Sequence, residues 1–80
     1  MKIPEVKKLV ENQSMEKLIA AEEALVQEDE LPIPVGGEDE GEKLTHILAA
    51  IFILEKMKSE GLDFKTALRE YTRRVRESIF

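Results

Sequence analysis

The 80-residue chain contains no cysteine and no tryptophan, and its aromatic residues are three Phe and one Tyr. Without cysteine there is no disulfide framework, no thiolate zinc site and no thiol nucleophile. A core built from so short a chain rarely supplies more than ~3–5 kcal/mol, so self-association is a common source of further stability. The absence of cysteine fits a reducing compartment, and we predict a cytoplasmic protein.

Long apolar runs are also absent. The longest run, residues 47–54, has eight residues. As a helix it would span ~12 Å, against ~30 Å of bilayer hydrocarbon. The first residues become charged at Lys2 and Glu5, so they do not form the apolar stretch of a signal peptide. These features predict neither a membrane segment nor a membrane partner.

Charge is distributed unevenly around a net value of −5. Nine acids and no Lys or Arg lie between Glu22 and Glu42, whereas residues 61–80 carry five bases and three acids. Such a separation can be satisfied within the fold, across an oligomer or by an outside partner. The sequence leaves these alternatives open.

Apolar residues at helical spacing predict four segments, at about residues 4–12, 15–28, 40–60 and 63–79. Pro4 and Ser14 are typical first-turn and N-cap residues, but the first two helices could also be continuous. A Pro/Gly loop at 31–37 separates the second helix from the third, and Gly61 favours a short reversal before the fourth. We therefore predict a single all-α domain over 1–80, a small bundle of three to four helices with a C-terminal antiparallel helix hairpin.

The third predicted helix is apolar nearly all round from Leu44 to Met57. A helix of this kind must be covered on most sides, and a short chain has few elements with which to cover it. This imbalance predicts a homodimer. The candidate interface residues are Ile47, Ile51, Phe52 and Leu54.

The fourth predicted helix carries a basic face made of Lys65, Arg69, Arg73 and Arg76. Helix-turn-helix proteins meet DNA with such a helix, so these residues are candidates for contact with a charged partner. However, Glu70 absorbs part of the charge on the same helix, and nucleic-acid-binding domains are usually basic overall. The acidic balance of the chain disfavours nucleic acid as the partner.

His46 is the only histidine, and on a helix it falls one turn after Glu42. This pair is a weak metal-ligand candidate, because a complete set needs further ligands; a surface or interface histidine is the expected alternative. Gly36 and Gly37 are not followed by the residues of a phosphate-binding loop, and no serine lies in a nucleophile-elbow context. The acidic clusters lack calcium-loop spacing. We predict no cofactor, no bound metal and no enzymatic activity.

Several apolar and capping positions at both ends of the chain match a known pattern. They are Met1-Lys2-Ile3-Pro4, Val6, Lys8, Leu9, Glu60-Gly61, Lys65, Ala67-Leu68, Tyr71, Arg74-Val75 and Ser78-Ile79. At these positions the chain resembles an uncharacterised family of short bacterial helical proteins, a domain of unknown function. The resemblance implies a complete bacterial protein, and the family has no established activity to transfer.

Taken together, the sequence predicts a non-enzymatic protein-interaction module that acts as a homodimer and docks on itself or on another protein. The alternative is a nucleic-acid-binding or regulatory accessory protein that uses the basic face of the C-terminal helix.

Overall fold

A computed structural model, which describes residues 1–78, contains four helices and no strand in that range. The predicted all-α class is confirmed. Predicted residue 79 of the last helix lies outside the described residues. The helices are α1 (Ile3–Asn12), α2 (Met15–Val26), α3 (Glu40–Glu60) and α4 (Phe64–Ser78).

The break between α1 and α2 is real, which settles the alternative that the sequence left open. Gln13 and Ser14 both adopt extended backbone conformations. The Ser14 Oγ accepts a hydrogen bond from the Lys17 N–H at 3.2 Å, as an N-cap residue does. The side chain of Ser14 therefore starts a second helix where the backbone of α1 has ended.

The α3–α4 hairpin has caps on both sides of its turn. Gly61 ends α3 with φ +67°, a left-handed conformation that glycine adopts without steric cost. Asp63 then starts α4, because its Oδ1 accepts from the Thr66 N–H at 2.8 Å. These hydrogen bonds with Thr66 also hold the pKa of Asp63 below its ordinary value. The short turn places α4 beside α3, as predicted.

Helix α3 is the centre of the bundle. Within the described residues α1, α2 and α4 each pack extensively against α3 and only slightly against one another. Ala21, Ala49, Ala50 and Ala67 are fully buried, and their small side chains let helix backbones approach closely. The chain therefore covers most of its apolar central helix by itself.

This arrangement corrects part of the predicted dimer interface. Ile47 is fully buried and Leu54 is 9% exposed, so both lie in the core of the single chain. Ile51 is half-buried against the same core. A surface for a second copy must therefore be sought on a different side of α3.

Residues 27–39, which we call the strap, connect α2 to α3. Leu31, Ile33 and Val35 pack inward while Pro32 and Pro34 are exposed, the alternation of an extended segment. The predicted Pro/Gly loop is thus an integral cover of the bundle. Near its end it passes so close to α1 that a Cβ at Gly36 would collide with the Glu5 side chain.

The second residue of the strap has a strained backbone conformation. Glu28 has φ +60°, and it occupies the C′ position of a Schellman motif at the end of α2. The Asp29 N–H donates to the Ala24 carbonyl at 2.8 Å, and the Glu28 N–H donates to the Leu25 carbonyl at 3.2 Å. The hydrogen bonds of the motif hold a side chain at a position where glycine is usually found.

Replacing Glu28 by Gly should therefore stabilise the chain by about 1 kcal/mol, because the left-handed conformation costs a residue with a Cβ ~1–2 kcal/mol. Urea denaturation measures the change in unfolding free energy. The matched control Glu28→Gln removes the same charge and keeps the Cβ, so it should leave stability nearly unchanged. Equal stabilisation by both variants would assign the effect to charge and contradict the account.

Candidate interaction surface and the buried histidine

His46 is fully buried, not at the surface or an interface as predicted. Its Nε2 accepts a hydrogen bond from the Lys2 backbone N–H at 2.9 Å, and its Nδ1 lies 2.8 Å from the Gly36 carbonyl oxygen. Because Nε2 accepts, the ring proton of the neutral tautomer is on Nδ1 and is donated to Gly36. The ring ties α3 to the residues before α1 and to the strap.

These contacts bear on the predicted metal-ligand candidates, Glu42 and His46. Both ring nitrogens of His46 are occupied by backbone groups, so neither has a lone pair directed at an ion. Glu42 acts at the start of α3, where its Oε1 accepts from the Glu38 N–H at 2.8 Å. Across residues 1–78, no three His, Asp or Glu side chains are placed to share a metal.

An apolar recess lies between α3, α4 and the first residue. We call it the α3–α4 groove; its volume is about 310 Å³. It forms because the antiparallel hairpin brings the last turns of α4 beside the first turns of α3. The lining residues are Met1, Thr45, Tyr71, Thr72, Val75 and Arg76.

Exposed apolar side chains gather around this groove. Met1 is 46% exposed and Val75 is 39% exposed, and both line the groove. Leu48 is 40% exposed and lies one turn after Thr45 on α3, before Phe52 on the same face. Leu48 could not be singled out from the sequence, because its neighbour Ile47 is equally apolar. Only the packing shows that Ile47 is buried and Leu48 is exposed.

Phe52, a predicted interface residue, lies further along the same face of α3 and is covered by contacts within the chain. Its ring centroid lies 5.5 Å from that of Tyr71, at an interplanar angle of 58°. Lys56 Nζ and the Arg74 guanidinium lie 5.7 and 5.9 Å from the Phe52 centroid. Phe52 is thus half-buried among α4 side chains, and burial raises the pKa of Tyr71.

The predicted basic face of α4 is divided by the structure. Arg73 is held by two carboxylates, at 2.8 Å from Glu70 and 3.8 Å from Glu77. Lys65 and Arg69 are exposed and form no ion pair with another described residue. Arg76 lines the groove instead. The four cations therefore do not form one uninterrupted basic stripe.

Replacing His46 by Leu should destabilise the chain by about 2–3 kcal/mol, because it leaves the Lys2 N–H and the Gly36 carbonyl without their partner in the core. His46→Gln retains an acceptor and a donor and should cost less. Thermal denaturation of the two variants measures the difference. A Leu variant as stable as the parent chain would show that the ring hydrogen bonds contribute nothing net.

Tyr71 should ionise above its ordinary pKa of 10.0, because its burial beside Phe52 favours the neutral phenol. The stabilisation from this burial is fully present below pH 10.0 and is lost as the pH rises through the higher pKa of the folded chain. Phenolate absorbance reports this titration cleanly, since Tyr71 is the only tyrosine. Val75→Ala should open the groove and lower the midpoint; an unchanged midpoint would contradict this geometry.

Comparisons with known proteins give a family but no activity. Residues 1–80 match a family of unknown function (DUF6952), so the resemblance seen at the chain ends extends over the whole chain. No curated protein and no solved structure matches the chain. Among the described helices, none combines the length and apolar character needed to cross a membrane.

Proposed function

The chain belongs to this family of unknown function, and we propose that it is a non-enzymatic protein-interaction module that pairs with a second copy of itself through the α3–α4 groove. The observation that carries the proposal is the cluster of exposed apolar side chains around the groove. Isolated exposed apolar residues are normal on a protein surface, whereas a contiguous cluster marks an interaction site.

The distribution of exposed large apolar residues supports this location. Six such residues are found in the described chain; Met1 and Val75 line the groove, and Leu48 lies one turn after the lining residue Thr45 on α3. By contrast, Ile19 and Val26 lie apart on α2. The groove thus collects apolar surface that the fold does not cover, although three helices and the strap already surround α3.

The charges beside the groove favour a second copy as the occupant. On the opposite border, the exposed acid Glu38 lies just before α3, and its Oε1 is 3.6 Å from the Nζ of Lys2, the residue next to Met1. On the α4 side, Arg76 lines the groove itself. A two-fold axis through the groove brings the basic border of each copy to the acidic border of the other, which is the self-complementarity that an isologous dimer needs.

The titrating groups support a role without catalysis. The pKa of Asp63 is lowered and that of Tyr71 is raised, and both shifts have structural causes. The first is an N-cap hydrogen bond and the second is burial beside Phe52. Active sites typically combine such shifts with a neighbouring charge partner in a cleft, and neither group has this arrangement.

The direct test is molar mass by light scattering over a dilution series. The parent chain should show about twice its 9.1 kDa mass, and Leu48→Lys should be monomeric because it places a charge on the apolar border. Val26→Lys is the matched control, since Val26 is 68% exposed and lies away from the groove. A parent chain that is monomeric throughout, or a Val26→Lys variant that dissociates like Leu48→Lys, would contradict the proposal.

Charge reversal tests the two-fold arrangement separately. Arg76→Glu and Glu38→Arg should each weaken pairing, and the double variant should recover part of the loss. Additive losses would show that these borders do not meet. Retention of nucleic acid at low salt, reduced by Arg69→Gln, would instead favour the basic face of α4 as the functional surface.

A further inference from the structure

We propose that His46 is a proton-sensitive latch for the α3–α4 groove, and that protonation of its ring releases Met1 and Lys2 and thereby weakens pairing. The latch stands on the geometry of the ring alone. Its effect on pairing rests on the proposed function. The α3–α4 groove thus binds a second copy of the chain, and protonation of His46 regulates that binding.

The ring has one place for an added proton. Nδ1 already carries its hydrogen, which it donates to Gly36, so protonation occurs at Nε2. Nε2 is the acceptor for the Lys2 N–H at 2.9 Å. A protonated Nε2 would face that N–H as donor against donor, and the hydrogen bond to Lys2 would be lost while the one to Gly36 is kept.

Of the segments joined by the ring, Met1 and Lys2 have fewer other contacts than α3 and the strap. The Lys2 carbonyl accepts from the Glu5 and Val6 N–H groups at 3.0 and 3.3 Å, but the Lys2 side chain makes no capping hydrogen bond and the Lys2 N–H is bonded to His46 alone. Its Nζ lies 3.6 Å from Glu38 Oε1 in an exposed ion pair, a type of contact that contributes little. Val6, in the next turn, is fully buried and anchors α1. Movement is therefore expected before Val6.

No carboxylate compensates a charged ring in place. None of the described residues forms an ion pair with His46. An imidazolium buried without a partner is unfavourable, so the ring must regain contact with water when it is protonated. The charged groups on the surrounding segments are the N-terminal ammonium of Met1, Lys2 and Glu5 at the N-terminal end, Glu38 and Asp39 on the strap, Glu40, Glu42 and Lys43 on α3, and Arg76 on α4.

The consequence for the groove follows from Met1. Met1 is adjacent to Lys2 and lines the groove with Thr45, Tyr71 and Val75. When the Lys2 N–H is released, Met1 loses its fixed position and the groove loses one apolar wall. A second copy then has less apolar surface to cover, so its dissociation constant rises.

The experiment is a pH titration of the full chain with two readouts, from about pH 8 to about pH 5, the range in which histidine changes charge. Nitrogen NMR follows the His46 ring and the exchange of the Lys2 amide, corrected for its intrinsic pH dependence. Light scattering on the same samples follows association. We expect a ring with its proton on Nδ1 at high pH. At low pH we expect about ten-fold less protection of Lys2, the effect of one lost hydrogen bond, and about ten-fold weaker pairing, the effect of losing the partly buried apolar wall that Met1 provides.

His46→Gln is the control variant. It offers the Lys2 N–H an acceptor that does not titrate in this range, so both readouts should be independent of pH. A pH response in this variant as large as in the parent chain would overturn the assignment to His46. The parent titration by NMR needs no variant, so the latch remains testable if His46→Gln does not fold.

The remaining outcomes separate the latch from the pairing. A ring and a Lys2 amide that do not change down to about pH 5 would overturn the latch, whatever association does. Release of Lys2 with unchanged pairing would overturn the control of the groove by the latch. A chain that is monomeric at every pH would contradict the proposed function, while the NMR readout would still decide the latch.

Discussion

Covering an apolar central helix is the constraint on which the rest of this structure depends. Helix α3 has 21 residues and presents apolar side chains on nearly every side, so it is stable only when other elements surround it. The remainder of the chain is arranged as that cover: α1, α2 and α4 pack on it, and the strap adds Leu31, Ile33 and Val35. Leu48 on α3 stays 40% exposed, one turn after Thr45, which lines the α3–α4 groove.

One polar group interrupts this apolar interior, and its position explains how the cover is held in register. The His46 ring bonds to the backbone at Lys2 and at Gly36, which are 44 and 10 residues away in sequence. Neither Lys2 nor Gly36 lies within a helix, although the Lys2 carbonyl accepts hydrogen bonds from the first turn of α1. A single ring thus fixes the entry to α1 and the end of the strap against the helix that they cover.

The sequence predicted the features that have local signals. Ser14 and Gly61 mark helix ends by their own backbone and side-chain preferences, and the structure has helix boundaries at both. Features that depend on distant residues could not be read in this way. The burial of His46 requires knowing where Gly36 lies, and the separation of Ile47 from Leu48 requires knowing which side of α3 the other helices cover. At position 28 the sequence has Glu where a left-handed conformation usually has Gly, so nothing in the sequence indicated that conformation.

The most direct test of the central account is an isotope-filtered NOE measurement on an equal mixture of labelled and unlabelled chains. This measurement detects only contacts between copies. The account predicts NOEs across the groove, between the methyl groups of Leu48 and Val75 of one copy and the groove residues of the other. Intermolecular contacts confined to Val26 and the rest of α2, or none at concentrations where two copies associate, would contradict it.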